Sequence, residues 1–122
     1  MTIKTAKIKD FTKEAALYKE AFEAAVDAAA KYETEHPGEW FPCGFAWVRI
    51  KPARGKFVEY LKSLEEKTGR IGYTDTYEGG FVVYNPSQNP TQAMYVKAAG
   101  ANAFRDVLIA NGIRCTAETR VD

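Results

Sequence analysis

Between Pro42 and Pro52 the chain alternates. Ala46, Val48 and Ile50 fall on one side and Phe45, Trp47 and Arg49 on the other, the two-residue period of a half-buried strand. Proline has no backbone N–H to offer a ladder, so the strand is bounded at both ends. The stretch from Gly38 to Ile50 also holds both tryptophans of the chain and one of its two cysteines. A strand with one apolar side needs a second layer to bury that side against, and the rest of the chain has to supply it.

Two kinds of element are legible around it. Over residues 11–35, Phe11, Ala15, Tyr18, Phe22, Ala25, Ala29 and Tyr32 recur at alternating steps of four and three, placing them on one stripe of an amphipathic helix. Asp10 or Thr12 can cap its first turn, and His36-Pro37-Gly38 ends it, because the residue before proline is pushed out of the helical region. The 4-3 spacing also fits a coiled coil, which so many alanines would make weak. Residues 1–10 read as a short extended arm. A second helix spans 54–68, with Phe57, Leu61 and Leu64 in line and Gly69 as its stop. Arg70 to Tyr77 alternates as a strand, Glu78-Gly79-Gly80 is a turn, and Phe81-Val82-Val83-Tyr84 is strongly β-prone. Residues 85–90 form a loop by composition, and 92–96 are open between loop and a fifth strand. Lys97 to Ala110 is helical, with Phe104 and Leu108 inward, and Ile113 to Val121 is a last strand.

From residue 44 the order is therefore strand, helix, strand, strand, helix, strand. That is the ferredoxin-like βαββαβ pattern of an α+β fold, an antiparallel sheet with helices on one face. The first and third strands are central in it and the last flanks the first. A chain of 122 residues is one domain's worth, here with residues 1–39 as an arm and helix and 44–122 as the ferredoxin-like core. The extra helix and the helix-free side of the sheet are both left without a partner. The expectation is that the helix lies across that side, or that dimerisation covers it.

Charge excludes some functions. Lys and Arg number 17 against 16 Asp and Glu, so no global field steers the chain to nucleic acid or an anionic membrane. Residues 11–39 carry three Lys against seven Asp and Glu, net −4, and residues 44–70 seven Lys and Arg against three Glu, net +4. The two segments either face each other and cancel, or the basic one meets a polyanion. No apolar run approaches the ~20 residues of a bilayer span, and Met1-Thr2-Ile3-Lys4 opens no signal-peptide core. Two distant cysteines do not make a disulfide framework, which points to a reduced, cytoplasmic protein.

Three constellations bear on chemistry. His36 and Cys43 flank the aromatic loop, and a thiolate–imidazole pair is how a cysteine nucleophile is activated. No orienting Asp or Asn accompanies them, and a cysteine at the start of a strand usually serves as a small apolar filler. One histidine and two cysteines at these spacings match no structural zinc pattern. Asp75 and Glu78 beside a glycine pair read as solvated turn formers. No catalytic residue, metal or cofactor is assigned. The third constellation is the uncovered sheet side, where RNA-recognition domains of this fold stack bases on aromatics of the two central strands. Phe45, Trp47 and Arg49 of the first strand, with Phe81 of the third, would form such a binding face, and Lys51, Arg54 and Lys56 would supply basic contacts. Gly80 to Tyr84 echoes the latter half of the third-strand motif, but Tyr77, Glu78 and Gly79 break the first half.

The segments Pro37-Gly38-Glu39-Trp40-Phe41-Pro42-Cys43-Gly44-Phe45-Ala46-Trp47-Val48, Thr91-Gln92 and Ala101-Asn102-Ala103-Phe104-Arg105-Asp106-Val107-Leu108 resemble a recurrent pattern in small uncharacterised proteins of tailed phages. The N-terminal helix lies outside the resemblance. It implies a phage-derived accessory protein working in a host cytoplasm, and carries no activity and no catalytic residue. The expectation is a small non-catalytic protein acting through protein–protein interaction or self-association. Single-stranded nucleic-acid binding through the aromatic and basic sheet face is the alternative.

Overall fold

In the computed structural model, which describes residues 10–69 and 71–122, the first element is the helix α1, Thr12–Glu35. Asp10 Oδ1 accepts from the Thr12 N–H at 2.9 Å. The extended arm read for residues 1–10 lies, Asp10 apart, outside the described residues. After α1 come β1 (Gly44–Ile50), α2 (Lys56–Thr68), β2 (Gly72–Thr74), β3 (Phe81–Tyr84), α3 (Met94–Ala110) and β4 (Cys115–Val121). The fold is α+β, with three helices and one four-stranded antiparallel sheet in the order β2-β3-β1-β4.

Cross-strand register fixes which side chains share a side. Ile50 pairs with Phe81 and Cys115, and Val48 with Val83 and Ala117. With Ala46 they form the apolar side, which Phe57, Val58 and Leu61 of α2 and Ala101, Phe104 and Leu108 of α3 cover. Phe104 is fully buried, and a ring taken wholly out of water contributes roughly 2–3 kcal/mol.

The placement of α1 differs from expectation. It does not lie across the uncovered sheet side. It packs against α3 in the helical layer, where its Tyr18 ring meets Phe104 edge-on at 6.1 Å and Tyr60 of α2 at 6.3 Å. The reason is the small-residue face of α1. Ala21, Ala25 and Ala29 are the buried positions, and α3 answers with Gly100, whose added Cβ would stand 3.2 Å from the Ala25 carbonyl oxygen. Two backbones can approach that closely only where side chains are missing. The large aromatics of the stripe then find partners beside the seam, Tyr32 stacking on His36 at 4.0 Å and tilting against Tyr95 at 6.5 Å.

Two strand assignments also shift. Residues 92–96 are not a fifth strand: Ala93 makes a single bridge with Cys43, and α3 starts at once with Met94, whose N–H bonds Pro42 O at 3.0 Å. β2 stops at Thr74, because Asp75 opens the turn. Its N–H bonds Gly80 O at 2.9 Å, and its Oδ1 accepts from the N–H groups of Tyr77 and Glu78. Gly72 is obligatory there, since a Cβ would stand 1.9 Å from Val82 O.

Candidate functional site: the uncovered sheet face

The side of the sheet away from the helices is built from the odd-numbered positions of β1. Phe45 pairs with Arg120, Trp47 with Tyr84 and Glu118, and Arg49 with Val82 and Thr116. Tyr73 of β2 extends the row beside Val82. A groove of about 370 Å³ runs over this side, lined by Phe45, Trp47, Arg49, Tyr73, Tyr84 and Arg120 and by the turn residues Asp75, Tyr77 and Glu78.

Arg49 is the centre of the groove's chemistry, and it is buried. Nε donates to both oxygens of Glu118 at 3.2 and 3.0 Å. Nη1 donates to Asp75 Oδ2 at 2.8 Å and to Gly79 O at 2.6 Å, and Nη2 reaches Glu78 Oε2 at 3.3 Å. Glu118 additionally accepts from Trp47 Nε1 at 3.0 Å and from Thr116 Oγ1 at 2.9 Å. A guanidinium presents its donors in a rigid fork that suits carboxylates, and here the fork is engaged on every side.

The titration of the group follows from this geometry. The hydrogen bonds to Glu118, ahead of those to Asp75, push the Arg49 guanidinium further up, so it stays charged. The hydrogen bond from Arg49, then the turn N–H groups of Glu78 and Tyr77, hold the Asp75 carboxyl below its ordinary range. Burial alone would raise Glu118, but the hydrogen bonds from Arg49, Thr116 and Trp47 more than offset it and the carboxyl is lowered.

The residues expected on this face are therefore only partly brought together. Phe45, Trp47 and Arg49 share it. Phe81 does not: it pairs with Ile50 and is buried on the helix side. A one-residue change in register reverses the side of every residue in a strand, and the four-residue run Phe81–Tyr84 carries no alternation that could fix it. Tyr84 takes the place intended for Phe81. Lys51 lies past the end of β1 beside Gly79, and Arg54 and Lys56 line a different hollow with Phe57 and Ile113. Lys56 pairs with Glu14 of α1 at 3.8 Å, one contact between the acidic and basic segments. Asp75 forms its turn as read, but its second oxygen holds Arg49, so it is not merely a solvated turn former. Glu118 gave no sequence signal, because its role needs the β1–β4 register.

Phe45 is also engaged. Lys97, itself buried, stands 5.3 Å from the ring centroid and Arg120 5.5 Å. The histidine and cysteine beside the aromatic loop go separate ways: His36 Nδ1 lies 3.0 Å from Tyr32 O, and Cys43 Sγ faces Trp40 O and Gln92 Oε1. Cys115 sits across from Ile50, at the far end of β1 from Cys43, and both thiols are free.

No family model, curated protein or solved structure matches the chain. Among the described residues no helix is long and apolar enough to cross a membrane.

Proposed function

We propose that this chain is a non-catalytic interaction module that docks a protein segment on the groove over β1 and β3. The Arg49 network carries the reading. One guanidinium is surrounded by Asp75, Glu78 and Glu118, so the arginine wanted for a phosphate is spent and the surroundings of Arg49 keep an excess of carboxylate, while Arg120 lines the groove beside Phe45. Phosphates meet repulsion around Arg49, whereas a lysine- or arginine-bearing segment meets opposite charge there and the partly exposed rings of Tyr73 and Tyr84, which suit cations. Nucleic-acid stacking loses support accordingly, since it needs a positive groove beside its aromatics.

The ferredoxin-like description of the core belongs to the same proposal. It is supported by the element order from Gly44 onward and by β1 and β3 lying at the centre of the sheet. The phage-derived accessory setting and the host cytoplasm rest on the sequence resemblance.

The test uses a Trp40→Phe background, so that Trp47 alone reports. A lysine-rich peptide titrated at low salt shifts the emission, an oligothymidylate of similar length does not, and Tyr84→Ala removes the peptide response. An oligonucleotide response with a silent peptide would replace this reading with nucleic-acid binding.

A further inference from the structure

We infer that β4 is a homodimerisation edge, pairing antiparallel with β4 of a second copy about a two-fold axis at Thr119. The proposal concerns the rim of the sheet and does not rest on docking in the groove, although Glu118 and Arg120 border both.

Sheet edges in monomeric proteins are usually kept short, or interrupted by proline, a bulge or lysines. β2 follows that rule with three residues. β4 runs seven residues, Cys115–Val121, with no proline and no lysine, its charges being one glutamate and one arginine of opposite sign, and among the described residues no strand pairs with its outer side. The backbone direction is fixed by two bonds to the β1 side: Asp122 N–H to Cys43 O at 3.0 Å, and Lys51 N–H to Arg114 O at 3.2 Å. In an antiparallel ladder such positions alternate. Even-numbered residues of β4 thus point their N–H and C=O groups at β1, and Ala117, Thr119 and Val121 point theirs outward.

Side-chain chemistry selects one register. Rotation about Thr119 sets Thr119 against itself and Ala117 against Val121 on the helix side. Val121 is 59 % exposed there. On the groove side it sets Glu118 against Arg120 of the second copy, twice. Those are positions without ladder bonds, where side chains come closest, and opposite charges across strands stabilise the pair. The excess of carboxylate around Arg49 gains a second guanidinium. Rotation about Glu118 or Arg120 would oppose like charges, rotation about Ala117 would set Arg114 against Arg120, and rotation about Thr116, which sets Arg114 against Glu118, would leave the exposed Val121 uncovered. An axis between residues would set the outward-facing N–H and C=O groups of one copy against residues of the other whose groups already point at β1.

Sedimentation equilibrium of the full chain over a concentration series is the primary measurement, and a concentration-dependent dimer is expected. Arg120→Glu, on an exposed side chain whose contact within the chain is the Phe45 ring, sets acid against acid twice and weakens dimerisation roughly tenfold or more. Thr119→Cys in a Cys43→Ser background links the copies on mild oxidation, because paired residues with ladder bonds lie about 5.5 Å apart, within disulfide reach. A chain that stays monomeric throughout, a dimer indifferent to Arg120→Glu, or a failure to link through Thr119→Cys overturns the assignment.

Discussion

Trp47 and Glu118 face each other across β1 and β4, and the indole Nε1 donates to Glu118 Oε1 at 3.0 Å. The same carboxylate takes two hydrogen bonds from Arg49, so one acidic side chain fixes both an aromatic wall of the groove and its buried cation. Glu118→Ala is expected to lower stability by about 1–3 kcal/mol, the cost of leaving such donors without an acceptor. Glu78→Ala removes only a 3.3 Å bond from a side chain that is 70 % exposed, and a change within about 0.5 kcal/mol is expected. Urea unfolding of the two variants side by side checks the contrast.

The network also predicts an acid limit. Asp75 and Glu118 both have folded pKa values below their ordinary values of 3.8 and 4.5. A lowered carboxyl contributes stability that is fully present above its ordinary pKa and is lost as pH falls through the native one. Arg49 is shifted up and keeps its charge, so nothing in the network weakens it on the alkaline side. The urea midpoint should hold steady from about pH 6 to 8 and decline below about pH 4, with a shallower decline in Arg49→Met.

Gly100 gives a packing prediction. Its Cβ would stand 2.7 Å from Ser87 Cβ and 3.2 Å from Ala25 O. Gly100→Ala gains roughly 1 kcal/mol of helix propensity, and the clash outweighs it, for a net loss on the order of 1–2 kcal/mol. Adding Ser87→Gly relieves the closer contact, so the double variant should be more stable than the two single changes summed. Thermal unfolding of the three variants reads this directly.

The cysteines should separate by reactivity. Burial pushes the Cys115 thiol up to about 11, so little thiolate forms at pH 8, and alkylation there is expected to be slow. Cys43 is only half-buried and should be labelled first, with the difference vanishing in urea. Mass spectrometry of the modified peptides at timed intervals measures both.

Element types were readable because each carries its own period. The Phe45–Lys51 alternation and the four-three steps of α1 need no knowledge of the rest of the chain, and both correspond to elements within a residue or two. What could not be read was which surfaces meet. The aromatic positions of α1 suggested a search for an apolar sheet, whereas the deciding residues were alanines 21, 25 and 29 and the glycine facing them on α3, and small residues give no hydropathy signal of a partner. The groove shows the same limit. Phe81 and Tyr84 look equally suited to a binding face until register sends one inward, and Asp75 and Glu118 come together only because strands distant in sequence are neighbours.

The way α1 is attached has a practical consequence. Among the described residues it shares no strand ladder with the body and is held by side chains, through α3, Tyr60, the Lys56–Glu14 pair and the Asn89–Glu33 bond. A nick at the exposed Pro37-Gly38-Glu39 link would sever no sheet bond, so the two pieces should find each other again when mixed. The molecule is thereby suited to fragment complementation, its fold restored from two separately made pieces.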